Sequence, residues 1–154
     1  MDNRTFRDAM GKFATGITIV STEVAGEMKG MTVNAFMSVS LEPHLIAVSI
    51  DEKASLYDVL QENDTFGVSV LAEEQKEVSM VFAKQIAKEK PLPITTLKDV
   101  PVVDGALVTL ACKVVEKVKA GDHVILIGEV EDLVQRDGDP VLYYGGSYRE
   151  IKAT

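Results

Sequence analysis

This chain of 154 residues has one cysteine and two histidines. Cys112 alone cannot form an intrachain disulfide, and it lies in the apolar run LVTLACKVV, the setting of a core thiol. His44 and His123 are too few for a histidine-rich metal site, so none is expected. No apolar run reaches the roughly 18 residues a membrane helix needs. The opening residues MDNRTFRDAM are charged, with no apolar core of a secretory signal. With the lone thiol, this leads us to expect a cytoplasmic protein. The net charge is −8, from 24 acidic and 16 basic residues, and no Lys/Arg cluster stands out. That disfavours nucleic acid, whose binding rests on phosphate neutralisation. The chain also lacks GxGxxG, a P-loop, HExxH, CxxC and a nucleophile elbow. A bound cofactor is then an attractive source of reactivity.

What is present fits one domain over residues 1–154, with 46% hydrophobic and 26% charged residues. Thr5 to Phe13 has Phe6, Met10 and Phe13 on one face and predicts a helix, with Gly16 as its stop. Ile17 to Thr22 and Met28 to Phe36 predict a pair of strands around an Ala25-Gly26 turn. Leu45 to Ile50 and Thr65 to Leu71 predict further strands. Ser55 to Gln61 and Glu73 to Lys84 predict helices, the first with Ser55 as its N-cap. Pro91, Pro93 and Pro101 make Lys88 to Pro101 irregular, either a lid or a connection. Ala106 to Val118 and His123 to Val134 alternate as long strands, with Val118 and Val134 assigned to the apolar side. Val141 to Tyr144 predicts a last strand. Six to eight short-spaced strands with peripheral helices imply a mostly β, antiparallel, closed or nearly closed barrel.

Gly30 to Ile50, GMTVNAFMSVSLEPHLIAVSI, sets small and hydroxyl-bearing residues among strand formers. Small side chains let a flat ligand approach the backbone, and hydroxyls can bind its polar edge. An edge strand with a solvated face would show the same composition.

Four segments occur in order: TGITIVST from Thr15; GMTVNAF from Gly30 followed by SVSLEP from Ser38; TFGVSVL from Thr65; and Gly121-Asp122-His123 continuing to Gly128-Glu129-Val130, Leu142-Tyr143-Tyr144 and Tyr148. This set resembles the flavin reductase family of FMN-binding split barrels, the small reductase components of two-component flavin-dependent monooxygenases. The resemblance runs from Phe6 to Tyr148 and is most specific in GMTVNAF…SVSLEP and Gly-Asp-His. It implies an antiparallel split barrel, a homodimer, and hydride transfer from NADH or NADPH to FMN or FAD. A partner monooxygenase would receive the reduced flavin. The same barrel also serves FMN-binding electron carriers and ferric reductase-like proteins. His44, Ser69 and Lys29 stand where the family often has proline, asparagine and histidine.

By the same resemblance, Met31, Thr32, Val33, Asn34 and Ala35 would run beside the isoalloxazine ring. Asn34 would bond the ring, or else mark a bulge. Ser49, Lys53 and Ser55 would hold the phosphate at a helix start, or Ser55 would only cap it. His123 would sit near the nicotinamide, or else be a surface residue at a hairpin end. Tyr148 would close over the flavin or the dinucleotide, or else plug the C-terminal tail.

Overall fold

The computed structural model describes all residues from Met1 to Thr154. Helix α1 (Asn3–Met10) is capped by the Asp2 carboxylate, which accepts from the Thr5 N–H at 2.7 Å. It ends at Gly11, not at Gly16. Gly16 instead lies in the short strand β1 (Thr15–Gly16). The strands β2 (Thr18–Val24) and β3 (Glu27–Val33) form a hairpin. The strands β4 (Phe36–Leu41) and β5 (His44–Asp51) form a second, around a cis Glu42-Pro43 bond. The run expected as one strand through Phe36 therefore breaks at Asn34-Ala35. Helix α2 (Ser55–Glu62) follows, with Ala54 as its N-cap, so Ser55 is the first helical residue. Strand β6 (Thr65–Val70), a 3₁₀ turn (Glu73–Gln75) and helix α3 (Lys76–Phe82) come next.

The proline-rich stretch is more regular than its composition suggests. It holds β7 (Ile94–Leu97) paired with β8 (Val100–Val103), joined through Lys98 and Asp99 at φ 47° and 65°. The long strands β9 (Val108–Ala120) and β10 (His123–Gln135) then pair along their whole length. A small sheet closes the chain, with β11 (Leu142–Tyr144) between β1 and β12 (Ser147–Arg149).

Seven strands form one antiparallel row, β3-β2-β6-β9-β10-β5-β4. Laid flat, that row would place β3 and β4 roughly 29 Å apart, at about 4.8 Å per step. Only Asn34 and Ala35 join Val33 to Phe36, and three Cα steps span at most about 11 Å. The sheet must therefore curl until its ends nearly meet. No ladder joins β3 to β4, so the seam stays split at Asn34-Ala35.

Inside the curl lies the larger core, including Val20, Val48, Ile50, Phe66, Val68, Cys112, Val124 and Leu126, with Leu56 and Leu60 of α2. A second cluster packs Ile17, Ile19, Leu71, Val78 and Val103 on the outside of β2. Polar anchors tie β8 to the sheet. The Ser21 hydroxyl donates to the Pro101 carbonyl at 2.6 Å, and the Val103 N–H donates to Ser69 Oγ at 2.9 Å. Ser69 thus has its own buried partner.

Two bulges correct the expected alternation of the long strands. Register shifts fall between Ile127 and Gly128 and between Val130 and Asp132. Each shift moves later side chains to the other face. Val118 and Val134 consequently point outward, 38% and 48% exposed.

Candidate functional site

A groove of about 1170 Å³ lies against the split seam. Its floor is the outer face of β5 and β10. Ala47, Ser49 and Ile125 line it, and Ser49 sits directly across from Ile125. Their neighbours Val48, Ile50, Val124 and Leu126 point the other way, into the core. Asn34, Ala35, Phe36 and Met37 build the wall at the seam. The corner is held by the Ser49 N–H donating to the Ala35 carbonyl at 3.1 Å and the Phe36 N–H donating to the Asn34 carbonyl at 3.0 Å. The facing wall comes from α1, Thr15, Tyr143 and the Gly145-Gly146 turn.

The structure divides the residues expected beside the ring. Asn34 and Ala35 line the groove. Ser49, expected at the phosphate with Lys53 and Ser55, lies on the groove floor apart from them, because its side chain shares the outer face of β5 with Ala47. Met31 and Val33 pack on the larger core instead. Thr32 faces α3, where its hydroxyl donates to the Ser79 carbonyl at 2.7 Å. Gly30 is small for a packing reason: a Cβ there would come within 2.9 Å of the Phe82 ring. The small and polar character of β3 therefore serves α3, while the groove begins only at the seam.

Lys53 and Ser55 lie beyond the groove lining, past the end of β5. The Lys53 N–H donates to Asp51 Oδ1 at 2.8 Å, which fixes the turn into α2. No side chain caps α2; the Tyr57 N–H donates to the Ala54 carbonyl at 3.0 Å, which leaves the Ser55 and Leu56 N–H groups for another acceptor.

His123 opens β10 opposite Asp51, on the same face as Ile125. Two strand residues place it roughly 7 Å along from the groove floor. Its Nδ1 lies 2.8 Å from Asp122 Oδ1. This bond, more than the Lys53 charge nearby, holds the Asp122 carboxyl below the usual carboxylate range.

Tyr148 belongs to the second core. Its ring meets Tyr143 edge-on at 5.6 Å, and its hydroxyl lies 2.9 Å from Ser79 Oγ. Tyr143 is the ring that lines the groove, a role the sequence did not distinguish from that of its neighbours. Thr15, Ile125, Phe6 of α1 and Phe13 just beyond the helix are further lining residues that the sequence does not single out. The Phe6, Met10, Phe13 stripe signals an amphipathic helix but not what it faces; all three are more than half exposed.

The groove suits a flat, partly polar ring system. Its floor is small and apolar, and Asn34 and Ser49 supply polar edges. Thr15 Oγ1 is buried with no hydrogen-bond partner. A buried hydroxyl without a partner marks a place where a bonding group is missing.

Residues 10–152 match the model of the flavin reductase like domain. An NADH-dependent flavin reductase of a Rhodococcus species is 43% identical over 149 residues, covering 95% of this chain and 85% of that protein. The reductase component of 4-hydroxyphenylacetate 3-monooxygenase from Thermus thermophilus is 37% identical, covering 95% of each. Among solved structures, the flavin reductase PheA2 in its native state superposes with a TM-score of 0.96 at 46% identity, covering 99% of this chain and 100% of that one. The NADH:FAD oxidoreductase SgcE6 of Streptomyces globisporus, solved with NAD and FAD fragments, gives 0.92 at 30% identity, over 98% and 93%. In sequence over nearly its whole length and in fold, this chain belongs to the flavin reductase like family.

Proposed function

We propose that this chain is an NAD(P)H:flavin oxidoreductase that passes reduced FMN or FAD to a partner monooxygenase. The observation that carries the reading is the groove at the split seam, where a small apolar floor meets the Asn34-Ala35 corner, in a chain of this family. Bound flavin supplies the hydride acceptor, N5, for the nicotinamide C4 hydride. The chain needs no strong acid or base for this; its residues bind and align.

The floor of Ala47, Ser49 and Ile125 keeps one face of the ring dry. The Asn34 carboxamide and the Ser49 hydroxyl bond its polar edge, and Thr15 offers a further hydroxyl. The uncapped start of α2, with the Ser55 hydroxyl and the Lys53 ammonium, receives the flavin phosphate. Met31, Thr32 and Val33 support the seam from behind through the core and α3. Asp122 holds His123 Nδ1, which leaves Nε2 to bond the nicotinamide carboxamide. Tyr148 braces Tyr143 against α3 and so acts on the groove through its neighbour.

The reading includes a homodimer in a reducing cytoplasm. Exposed Phe6, Phe13 and Met37 beside the groove give a second copy an apolar surface to cover. The decisive experiment is anaerobic addition of NADH to the protein with FMN, then FAD, followed by absorbance. Bleaching of the flavin at a catalytic rate is expected. No flavin-dependent NADH or NADPH consumption with either flavin defeats the reading.

A further inference from the structure

The wall made by α1 and the turn that follows it differs from the rest of the groove in carrying charge. Arg7 and Lys12 line it, and Asp8 is the only carboxylate that does. The ion pairs of the molecule are Lys29 with Glu27, Lys119 with Glu52 and His123 with Asp122, so neither wall cation is neutralised by a partner. The chain as a whole carries −8 and repels polyanions, which makes free cations at a cleft notable. Lys12 Nζ lies 5.9 Å from the centre of the Tyr144 ring, and the Arg149 guanidinium lies 5.3 Å from the same ring. A cation held over a ring face keeps its N–H donors available. Helix α1 buries no residue, so core packing does not explain its position. It is tied instead to the Gly145-Gly146 turn, where the Gly145 N–H donates to the Gly11 carbonyl at 2.9 Å. Both glycines have positive φ, 60° and 80°, and a Cβ on either would meet nothing within 4 Å. The turn thus presents bare backbone and open space beside the two cations.

We propose that Arg7 and Lys12 form an anion subsite that takes the pyrophosphate of an adenine dinucleotide tail, whether of the nicotinamide donor or of FAD. Two cations on one wall match two linked phosphates, and Arg7 can engage one of them bidentately. The subsite is separate from the α2 start, since neither Lys53 nor Ser55 lines the groove. The inference rests on the flavin reductase reading.

The test uses the full chain and the variants R7E/K12E and R7K/K12R. One arm compares kcat/KM for NADH with that for 1-benzyl-1,4-dihydronicotinamide, a donor without phosphate, using FMN as acceptor. The other compares the Kd of FAD with that of FMN. In R7E/K12E, the preference for the tailed ligand in at least one arm is expected to fall about tenfold, and more at low ionic strength. The arm that responds identifies the source of the tail. R7K/K12R should keep most of that preference. Unchanged ratios in both arms overturn the proposal, as does equal weakening of all four ligands. Absence of flavin-dependent turnover by the wild-type chain would instead defeat the function itself.

Discussion

His123 Nδ1 and Asp122 Oδ1 lie 2.8 Å apart at the tip of the β9–β10 arm, on consecutive residues. The pair orients an imidazole that shares a sheet face with the groove floor. Asp122→Asn replaces an acceptor-only group by one that can present either end. KM for the nicotinamide donor is expected to rise by about two- to fivefold, the scale of an exposed pair. Flavin affinity should not move. Steady-state kinetics with a parallel flavin titration measures both, and an equal loss of the two would contradict the assignment.

The same pair has a pH signature. The His123 hydrogen bond depresses the Asp122 carboxyl, so that carboxyl titrates below its ordinary 3.8. A depressed carboxyl stabilises the fold above its unfolded pKa and loses that contribution as pH falls through the lower, folded value. His123→Ala should therefore raise the Asp122 titration midpoint toward the ordinary value. Carbon-detected NMR of the carboxylate follows it directly.

Cys112 is predicted to be inert. Burial, with a smaller effect from Glu131, pushes its thiol up to about 12. A thiol reagent at pH 8 should leave the native protein unmodified and label it fully once denatured. The linkage sign is opposite to that of Asp122. The unfolded thiol ionises near 9 while the folded thiol stays protonated, so stability declines as pH rises above about 9.

Gly128 marks a contact that admits no side chain. A Cβ there would lie 2.7 Å from Phe66 Cζ and 3.1 Å from Cys112 Cβ. Phe66 is fully buried and its ring has nowhere to retreat. Gly128→Ala should cost about 1–3 kcal/mol by overpacking. The shift of the urea midpoint at constant slope reads this out.

Thr15 separates stability from binding. Its hydroxyl is buried without a partner, so Thr15→Val removes an unsatisfied group and keeps the shape. The Tm of the flavin-free protein should hold or rise, while FMN affinity drops by about fivefold, roughly one hydrogen bond. Thr15→Ser should restore affinity. A fall in the flavin-free Tm would show that the hydroxyl has a structural partner after all.

The strands were largely legible because β-branched runs and turn residues punctuate them: the expected Ile17 to Thr22, Leu45 to Ile50 and His123 to Val134 correspond within two residues to Thr18–Val24, His44–Asp51 and His123–Gln135. The β7–β8 ribbon was not, because proline blocks only the N–H side of a strand and Pro101 sits where its missing donor is tolerated. Ser55 was misplaced by one residue because serine suits both the cap and the first turn, and only backbone angles separate them.

From sequence alone came the family, the antiparallel β class and the candidacy of Asn34, Ser49 and His123 as site residues, because strand propensity, turn chemistry and ordered motifs are local. Which side of each strand meets the groove was decided only in three dimensions. The pairing of β3 with β2 and the packing of α3 assign Thr32 to α3 and Met31 to the core, and the pairing of β10 with β5 puts Ile125 on the groove floor. A one-residue change of register reverses a side chain's face, and register is fixed by strands far apart in the chain.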